Sequence, residues 1–105
     1  YLTRRMAEGG GLSLKYYNPV SAGWPDRIVI FKGAKGCAAH PAVPARYAWV
    51  ELKSKGERPR PLQAHRLERL RRLGCRVYTC SSKEEVDRMI RLECPSRGKG
   101  DGDEV

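Results

Sequence analysis

The sequence predicts an α/β fold, a small mixed β-sheet flanked by helices. Residues 26–31 and 47–53 are rich in β-branched and aromatic side chains and enclose a segment rich in glycine and proline, which predicts an antiparallel hairpin. A basic helix follows the second strand and leads into a third, so those two strands should be parallel neighbours with a right-handed crossover. With 105 residues, the chain has room for one domain of about two packed layers.

The N-terminal half contains a helix and the hairpin. Residues 1–8 resemble the middle of a helix that ends at three glycines, and no initiator methionine precedes them, so we expect further residues upstream of Tyr1. Residues 12–17 alternate weakly and predict a first strand. Residues 32–46 predict a long loop between the two hairpin strands.

The C-terminal half contains two helices, a strand and a tail. Proline at the first helical position predicts a helix over 61–73, with Gly74 as its C-cap. Residues 76–80 predict a strand, and the serines and glutamates of 81–85 have the spacing of a capping box that opens a last helix. From Cys94 onward the chain consists mainly of glycine, serine and charged residues, so we expect one domain over 1–93 and a flexible polar tail over 94–105.

The composition indicates a polyanionic partner. Lys and Arg number 21 against 12 Asp and Glu, which gives a formal charge of +9 and a pI near 9.8. A solubilising surface is the plain alternative, and a polybasic membrane patch is less favoured because the basic residues are spread over helix, loop and strand. The sequence contains no apolar run of membrane-spanning length. Its four cysteines have no paired metal-ligand spacing, so we expect reduced thiols in a cytoplasmic protein.

Three charged residues of the hairpin form a candidate site. Glu51 and Lys53 share one face of their strand because side chains alternate across a sheet. Pairing of Asp26 with Glu51 would bring both carboxylates and the lysine to one end of the sheet. The register that we predict on this basis pairs Asp26 with Glu51, Ile28 with Trp49 and Ile30 with Tyr47, and on the opposite face Val29 with Val50 and Phe31 with Ala48.

Gln63 is expected to face the same site. Helical spacing places it on one stripe with Leu67 and Leu70, and those leucines should face the sheet. Two carboxylates can hold a divalent cation, a lysine can orient water and offset developing charge, and a glutamine can hydrogen-bond either. Taken singly, an E-x-K strand is usually an ion pair and Asp26 a turn residue. The combination with a strongly basic chain indicates a nuclease.

Basic residues around the helix are candidate phosphate contacts. The residues that we predict to bind nucleic acid are Lys55, Arg58, Arg60, His65, Arg66 and Arg69. A surface role for His65 is also open. Three basic residues of the 32–46 loop, Lys32, Lys35 and Arg46, could likewise touch DNA, and a solvated hairpin loop is the equal alternative.

These motifs resemble the PD-(D/E)xK nuclease superfamily and, within it, the virus-type replication–repair nuclease (VRR-NUC) family. The likeness covers about residues 10–90. It is carried by Gly23-Trp24-Pro25-Asp26-Arg27, Val50-Glu51-Leu52-Lys53, Gly56, Pro61, Gln63, Leu73-Gly74 and Val77.

The resemblance implies a restriction-endonuclease-like fold and an endonuclease that uses Mg²⁺ or Mn²⁺, with no small-molecule cofactor and no membrane partner. It assigns metal binding to Asp26, Glu51 and the Leu52 carbonyl, and catalysis to Asp26 and Glu51 together with Lys53 as the catalytic lysine and Gln63. The family usually has a further glutamate in its first helix, and alignment of the glycines before Leu12 places that glutamate upstream of Tyr1.

The short chain resembles the stand-alone phage and bacterial members. The resemblance therefore implies a homodimer that cleaves branched DNA, in particular four-way (Holliday) junctions, inside an infected or prophage-bearing bacterial cell. A non-catalytic nucleic-acid-binding module on the same fold is the alternative. Such a module would explain the positive net charge of the chain. It would not explain the carboxylates of Asp26 and Glu51, because a carboxylate beside a bound phosphate weakens binding.

Overall fold

The computed structural model describes residues 1–94. This part of the chain contains three helices and four strands, in the order α1 (Leu2–Glu8), β1 (Leu12–Lys15), β2 (Arg27–Phe31), β3 (Arg46–Leu52), α2 (Pro61–Arg72), β4 (Val77–Cys80) and α3 (Lys83–Glu93). Residues 95–105 of the predicted 94–105 tail lie outside the described residues. No helix within residues 1–94 is both long and apolar enough to cross a bilayer.

The four strands form one mixed sheet in the order β1-β2-β3-β4. β1, β2 and β3 are antiparallel, whereas β3 and β4 are parallel and joined through α2. This arrangement confirms the predicted hairpin and the predicted strand–helix–strand unit. The central position of β3 matters for the site, because its C-terminal end is bordered by strands on both sides.

The hairpin register is confirmed on one face and corrected on the other. Ile28 pairs with Trp49 and Ile30 with Tyr47, as predicted. The predicted pairs Val29–Val50 and Phe31–Ala48 are wrong. The structure pairs Val29 with Ala48, Phe31 with Arg46 and Arg27 with Val50. One antiparallel register has to hold for both faces of the sheet, so the pairs on the first face also fix the partners on the second. The partners predicted for the second face differ from the observed ones by two residues.

The two faces of the sheet are covered differently. Helices α1 and α3 cover one face and form the main core with it, consisting of Leu2, Met6, Val29, Phe31, Ala48, Val50, Cys80, Val86 and Met89. Helix α2 lies on the other face, where Gln63 reaches Glu51. It leaves the β1 end of that face open, since Leu12, Leu14 and Tyr47 are 56%, 46% and 50% exposed.

Local signals account for the helix ends. The Ser82 hydroxyl accepts a hydrogen bond from the Glu85 backbone N–H (3.1 Å) and caps α3, as its spacing predicts. The Glu85 carboxylate reaches one residue further back than a capping box requires and accepts from the Ser81 N–H (2.6 Å). Helix α2 ends at Arg72, one residue before the predicted end, and its C-cap is Leu73, not Gly74 as predicted. Gly74 is the next residue and has φ of +95°, a conformation that favours glycine.

The β2–β3 connection forms an arm at the far end of the sheet from Asp26. One bridge, between Ala34 and Val43, extends the hairpin beyond the strands, and backbone hydrogen bonds between Cys37 and His40 close its turn. The arm therefore has hairpin geometry where the sequence predicts only a loop.

Candidate active site

Asp26 stands at the entrance to β2, with its carboxylate directed at the end of β3. The preceding Pro25 is fully buried, which fixes the path of the chain into the strand. The Asp26 backbone carbonyl accepts from the Tyr16 N–H (2.8 Å), and its Oδ1 accepts from the Leu52 N–H (3.4 Å). The side chain is thereby held beside the strand that carries the second carboxylate.

Glu51 is a buried carboxylate on the α2 face of the sheet, only 5% exposed. It lies opposite Thr79 of β4, one residue beyond the core residue Val50. Its Oε2 accepts a hydrogen bond from Gln63 Nε2 (3.0 Å) and lies 3.4 Å from Lys53 Nζ. Both bonds use the same oxygen, so Oε1 takes no part in either.

Gln63 connects the helix to the strand. Its Oε1 accepts from Lys53 Nζ (2.7 Å) and from the Arg60 backbone N–H (3.2 Å), while its amide group donates to Glu51. The bond to Arg60 satisfies one of the N–H groups at the start of α2 that have no partner within the helix. Leu67 and Leu70 continue the same stripe and are buried, as the helical spacing predicts.

The electrostatics of the carboxylate pair favour a bound cation. Burial raises the pKa of Glu51, repulsion from Asp26 raises it further, and Lys53 lowers it. A divalent cation between the two carboxylates would remove the repulsion and restore the charged form of Glu51. The available donors are carboxylate and carbonyl oxygens, which suit hard cations such as Mg²⁺ and Mn²⁺. These residues therefore fit such a metal.

A third acidic side chain does not join this pair within residues 1–94, where the structure contains no group of three or more potential metal-ligating side chains. Glu8, the only acidic residue before Asp26, pairs with Arg5 at 3.3 Å. It ends α1, and a Cβ atom placed on the glycines that follow would meet the side chain of Lys32 at Gly10 and the backbone of Ile30 at Gly11. Glu8 thus lies at the opposite end of β2 from Asp26.

The site opens into a basic cleft of about 280 Å³. Lys53 and Gln63 lie on its floor, and the lining is completed by Ala22, Gly23, Glu57, Arg58, Arg60 and Leu62. Only 12% of the Lys53 side chain is exposed, because Gln63 and Glu51 hold its ammonium group beside the cleft. Arg58 and Arg60 are exposed at the mouth, where a phosphate backbone could reach them.

Of the other four predicted nucleic-acid contacts, three are exposed and one is hydrogen-bonded within the chain. Lys55 is exposed in the turn after β3. His65 and Arg69 are exposed on the outer surface of α2 and line a second cleft of about 270 Å³. Arg66 differs from these, because its guanidinium bonds to Ser21 and Ala22 of the chain itself.

The segment that Arg66 contacts was not among the predicted site residues. Residues 21–23 are small and resemble a flexible approach to Trp24, and no spacing in the sequence links them to α2. In the structure they lie against the first two turns of that helix. One signal was present, since Arg66 follows Gln63 by three residues and therefore lies close to the same helix face.

A phage protein and a solved structure resemble this chain. The sequence matches no family model. It is 30% identical over 84 residues to "Putative nuclease p44" of Acyrthosiphon pisum secondary endosymbiont phage 1, a match that covers 80% of this chain and 78% of that protein. A solved structure described as "VRR_NUC domain" superposes with a TM-score of 0.70 at 29% identity and covers 87% of each chain. The mixed sheet with its helices is thus confirmed as a restriction-endonuclease-like α/β fold, and the chain belongs to the VRR-NUC family of nucleases.

Proposed function

We propose that this nuclease is a divalent-metal-dependent, structure-selective DNA endonuclease that hydrolyses phosphodiester bonds in four-way junctions. One observation carries the proposal. Glu51, Gln63 and Lys53 form a continuous hydrogen-bonded set beside Asp26, and two members of the set, Lys53 and Gln63, line a cleft with arginines at its mouth. A plain phosphate-binding surface has no use for buried carboxylates, because they repel the ligand.

The carboxylates of Asp26 and Glu51, with the Leu52 carbonyl, would hold Mg²⁺ or Mn²⁺. When bound, the cation supplies Lewis acidity at the phosphoryl oxygen and helps to ionise the attacking water. Glu51 suits this role because its Oε2 is fixed by Gln63 and Lys53, which leaves Oε1 outside those bonds. The raised pKa of Glu51 means that protons compete with the metal, so metal affinity should weaken as the pH falls.

Lys53 would act on the water and on the phosphate. Its ammonium group is 2.7 Å from Gln63 Oε1 and 3.4 Å from Glu51 Oε2, so two acceptors fix its position. The third N–H can donate into the cleft, where it would orient the attacking water and offset negative charge that develops on the phosphoryl oxygens. Gln63 therefore serves the reaction by holding Lys53 and Glu51 at a fixed separation.

A homodimer would form through the open sheet face beside β1. Leu12, Leu14 and Tyr47 are about half exposed there, around the partly covered Ile28 and Ile30. The side chains of this patch carry no formal charge, so it suits a second copy of the chain better than it suits DNA. A symmetric pairing of these faces would give two active sites, which a junction with two scissile strands requires.

Cleavage of a labelled four-way junction tests the function. Linear duplex and single strands of the same sequence serve as substrate controls, with Mn²⁺, Mg²⁺ or EDTA. The protein control is Lys83→Ala, a lysine of α3 whose ammonium lies over the Tyr1 ring. We expect the parent and Lys83→Ala to make paired, metal-dependent nicks in the junction, and Lys53→Ala to bind the junction without cleaving it. Cleavage by Lys53→Ala at the parent rate would refute the assignment.

Tight junction binding by the parent without cleavage under any metal would instead favour the non-catalytic binding module. Multi-angle light scattering tests the dimer independently. Leu14→Glu should give monomers that no longer make paired nicks. Leu73→Glu should leave the dimer intact, because Leu73 is equally apolar and 71% exposed at the far end of α2. A monomeric parent, or a dimer that is insensitive to Leu14→Glu, would exclude this interface.

A further inference from the structure

We propose that Arg66 is a positioning residue that holds the segment before Asp26 against helix α2 and thereby sets the place of the Asp26 carboxylate. The inference rests on the proposed function in one respect, namely that Asp26 is a metal ligand. It differs from the phosphate contact that the sequence predicts for Arg66, and the structure supplies four observations for it.

The guanidinium is engaged within the chain. Arg66 Nε donates to the Ala22 carbonyl (3.2 Å), and one Nη donates to the Ser21 hydroxyl (3.1 Å). Two N–H groups on different nitrogens thus bind two neighbouring residues. Such a planar fork fixes direction as well as distance, which a single ammonium cannot do.

The Trp24 ring completes the attachment. The guanidinium carbon lies 4.7 Å from the centre of the Trp24 ring, within the range of a cation–π interaction. Trp24 Nε1 donates to the same Ser21 hydroxyl (3.1 Å), so Ser21 accepts from both side chains. Ser21, Trp24 and Arg66 therefore form a closed set of three contacts.

Close packing at Gly23 supports the same attachment. Gly23 has φ of +90°, and a Cβ atom placed there would come within 2.8 Å of Leu62 and 3.3 Å of Arg66. The backbone passes so close to α2 that only glycine fits without displacing the helix side chains. At the other end of the segment, Asn18 Oδ1 accepts from the backbone N–H groups of Val20 and Ser21 (both 3.0 Å), which fixes the turn before it.

This attachment links the two halves of the candidate metal site. Gln63 connects α2 to Glu51, and Arg66, one turn further along the helix, connects α2 to the segment that leads into Asp26. Only Trp24 and the fully buried Pro25 separate the attached segment from Asp26. One helix therefore positions both carboxylates, and release of Arg66 should free Asp26 while leaving Glu51 in place.

The test compares Arg66→Ala with Arg69→Ala, an exposed arginine on the same helix. For Arg66→Ala we expect faster hydrogen–deuterium exchange over residues 18–26 and an altered tryptophan emission spectrum, both without metal or DNA. We also expect Mn²⁺ affinity, measured by calorimetry, to fall about 10–100-fold, as for other residues that orient metal ligands. Arg66→Lys should not restore the affinity, and Ser21→Ala should reproduce part of the loss.

Arg69→Ala should behave in the opposite way. It should leave hydrogen–deuterium exchange and Mn²⁺ affinity unchanged. The slope of the logarithm of the junction-binding constant against the logarithm of salt concentration should become shallower by the amount of about one phosphate contact. The proposal would be overturned if Arg66→Ala kept the hydrogen–deuterium exchange and Mn²⁺ affinity of the parent but bound the junction more weakly and with less salt dependence. That result would support the phosphate contact that the sequence predicts for Arg66. Altered exchange without any Mn²⁺ binding in the parent would refute the metal assignment of Asp26 and leave Arg66 as an anchor of residues 18–26 alone.

Discussion

Neutralising Glu51 should stabilise the metal-free fold while abolishing cleavage. The pKa of Glu51 is raised, first by burial and then by Asp26, so the folded state favours the uncharged carboxyl. An acid whose pKa is raised by folding contributes stability below its unfolded pKa, and this contribution is lost as the pH rises through the folded pKa. Near neutral pH, the charge on Glu51 therefore destabilises the protein.

Glu93→Gln is a matched control for which we expect the opposite effect on the free energy of unfolding. Glu93 is as buried as Glu51, at 5% exposed, but Arg76 lies 3.2 Å and Arg46 3.6 Å from its Oε1, and Tyr78 donates to its Oε2. Removal of one partner from a fully buried ion pair costs about 3–5 kcal/mol. Because Arg76 is 53% exposed, we expect Glu93→Gln to cost about 2 kcal/mol. Glu51→Gln keeps an acceptor for Lys53 and should raise the free energy of unfolding. In a domain of this size, each 1 kcal/mol raises the unfolding midpoint by roughly 4–8 °C.

Thermal unfolding followed by circular dichroism measures both variants, first in EDTA and then with Mn²⁺. In EDTA the midpoints should rank with Glu51→Gln highest and Glu93→Gln lowest. Saturating Mn²⁺ should raise the free energy of unfolding of the parent protein, by about 2.7 kcal/mol at a free concentration of a hundred times the dissociation constant. The same Mn²⁺ concentration should stabilise the Glu51→Gln variant much less. A midpoint for Glu51→Gln below that of the parent in EDTA would refute the reasoning about the carboxylate pair.

Substitutions of Gln63, Tyr78 and Ser82 test the hydrogen bonds that these side chains make. Gln63→Ala removes hydrogen bonds to Lys53, Glu51 and the α2 N-terminus, so single-turnover cleavage should slow by about 10–100-fold and the free energy of unfolding should fall by about 1–2 kcal/mol; a parental cleavage rate would contradict this role. Burial and the bond to Glu93 raise the pKa of Tyr78 to about 12, so its contribution to stability should be lost between about pH 10 and 12, and Tyr78→Phe should flatten that part of a denaturation series against pH. Ser82→Ala removes the α3 cap and should cost about 1 kcal/mol in urea unfolding without changing cleavage; an unchanged midpoint would mean that water replaces the cap.

The parts of the fold that could be predicted from sequence are those governed by periodicity. The β-branched and aromatic content of residues 26–31 and 47–53 predicts the hairpin, and helical spacing places Gln63 on the buried stripe of Leu67 and Leu70. The first strand was predicted two residues too long. Beyond Lys15, Tyr16 retains one backbone bond to Asp26, which does not extend the ladder.

The parts that could not be predicted depend on the conformation of irregular segments. The attachment of Ser21 and Trp24 to Arg66 follows from a backbone turn that no side-chain period encodes. An arginine on a basic helix suggests a phosphate contact from sequence alone, because its partners lie more than 40 residues away. The arm at residues 34–43 was missed for a similar reason, since its proline and glycine content indicates a loop.

The alternation of Val50 and Glu51 along β3 has a consequence for how the protein can vary. Val50 is completely buried in the main core, and its neighbour Glu51 faces the candidate site. A slip of β3 by one residue would exchange the two faces, placing a carboxylate in the core and a valine in the site. Selection for a stable sheet therefore also preserves the position of the reactive groups, so core substitutions that keep the fold should rarely disturb the chemistry.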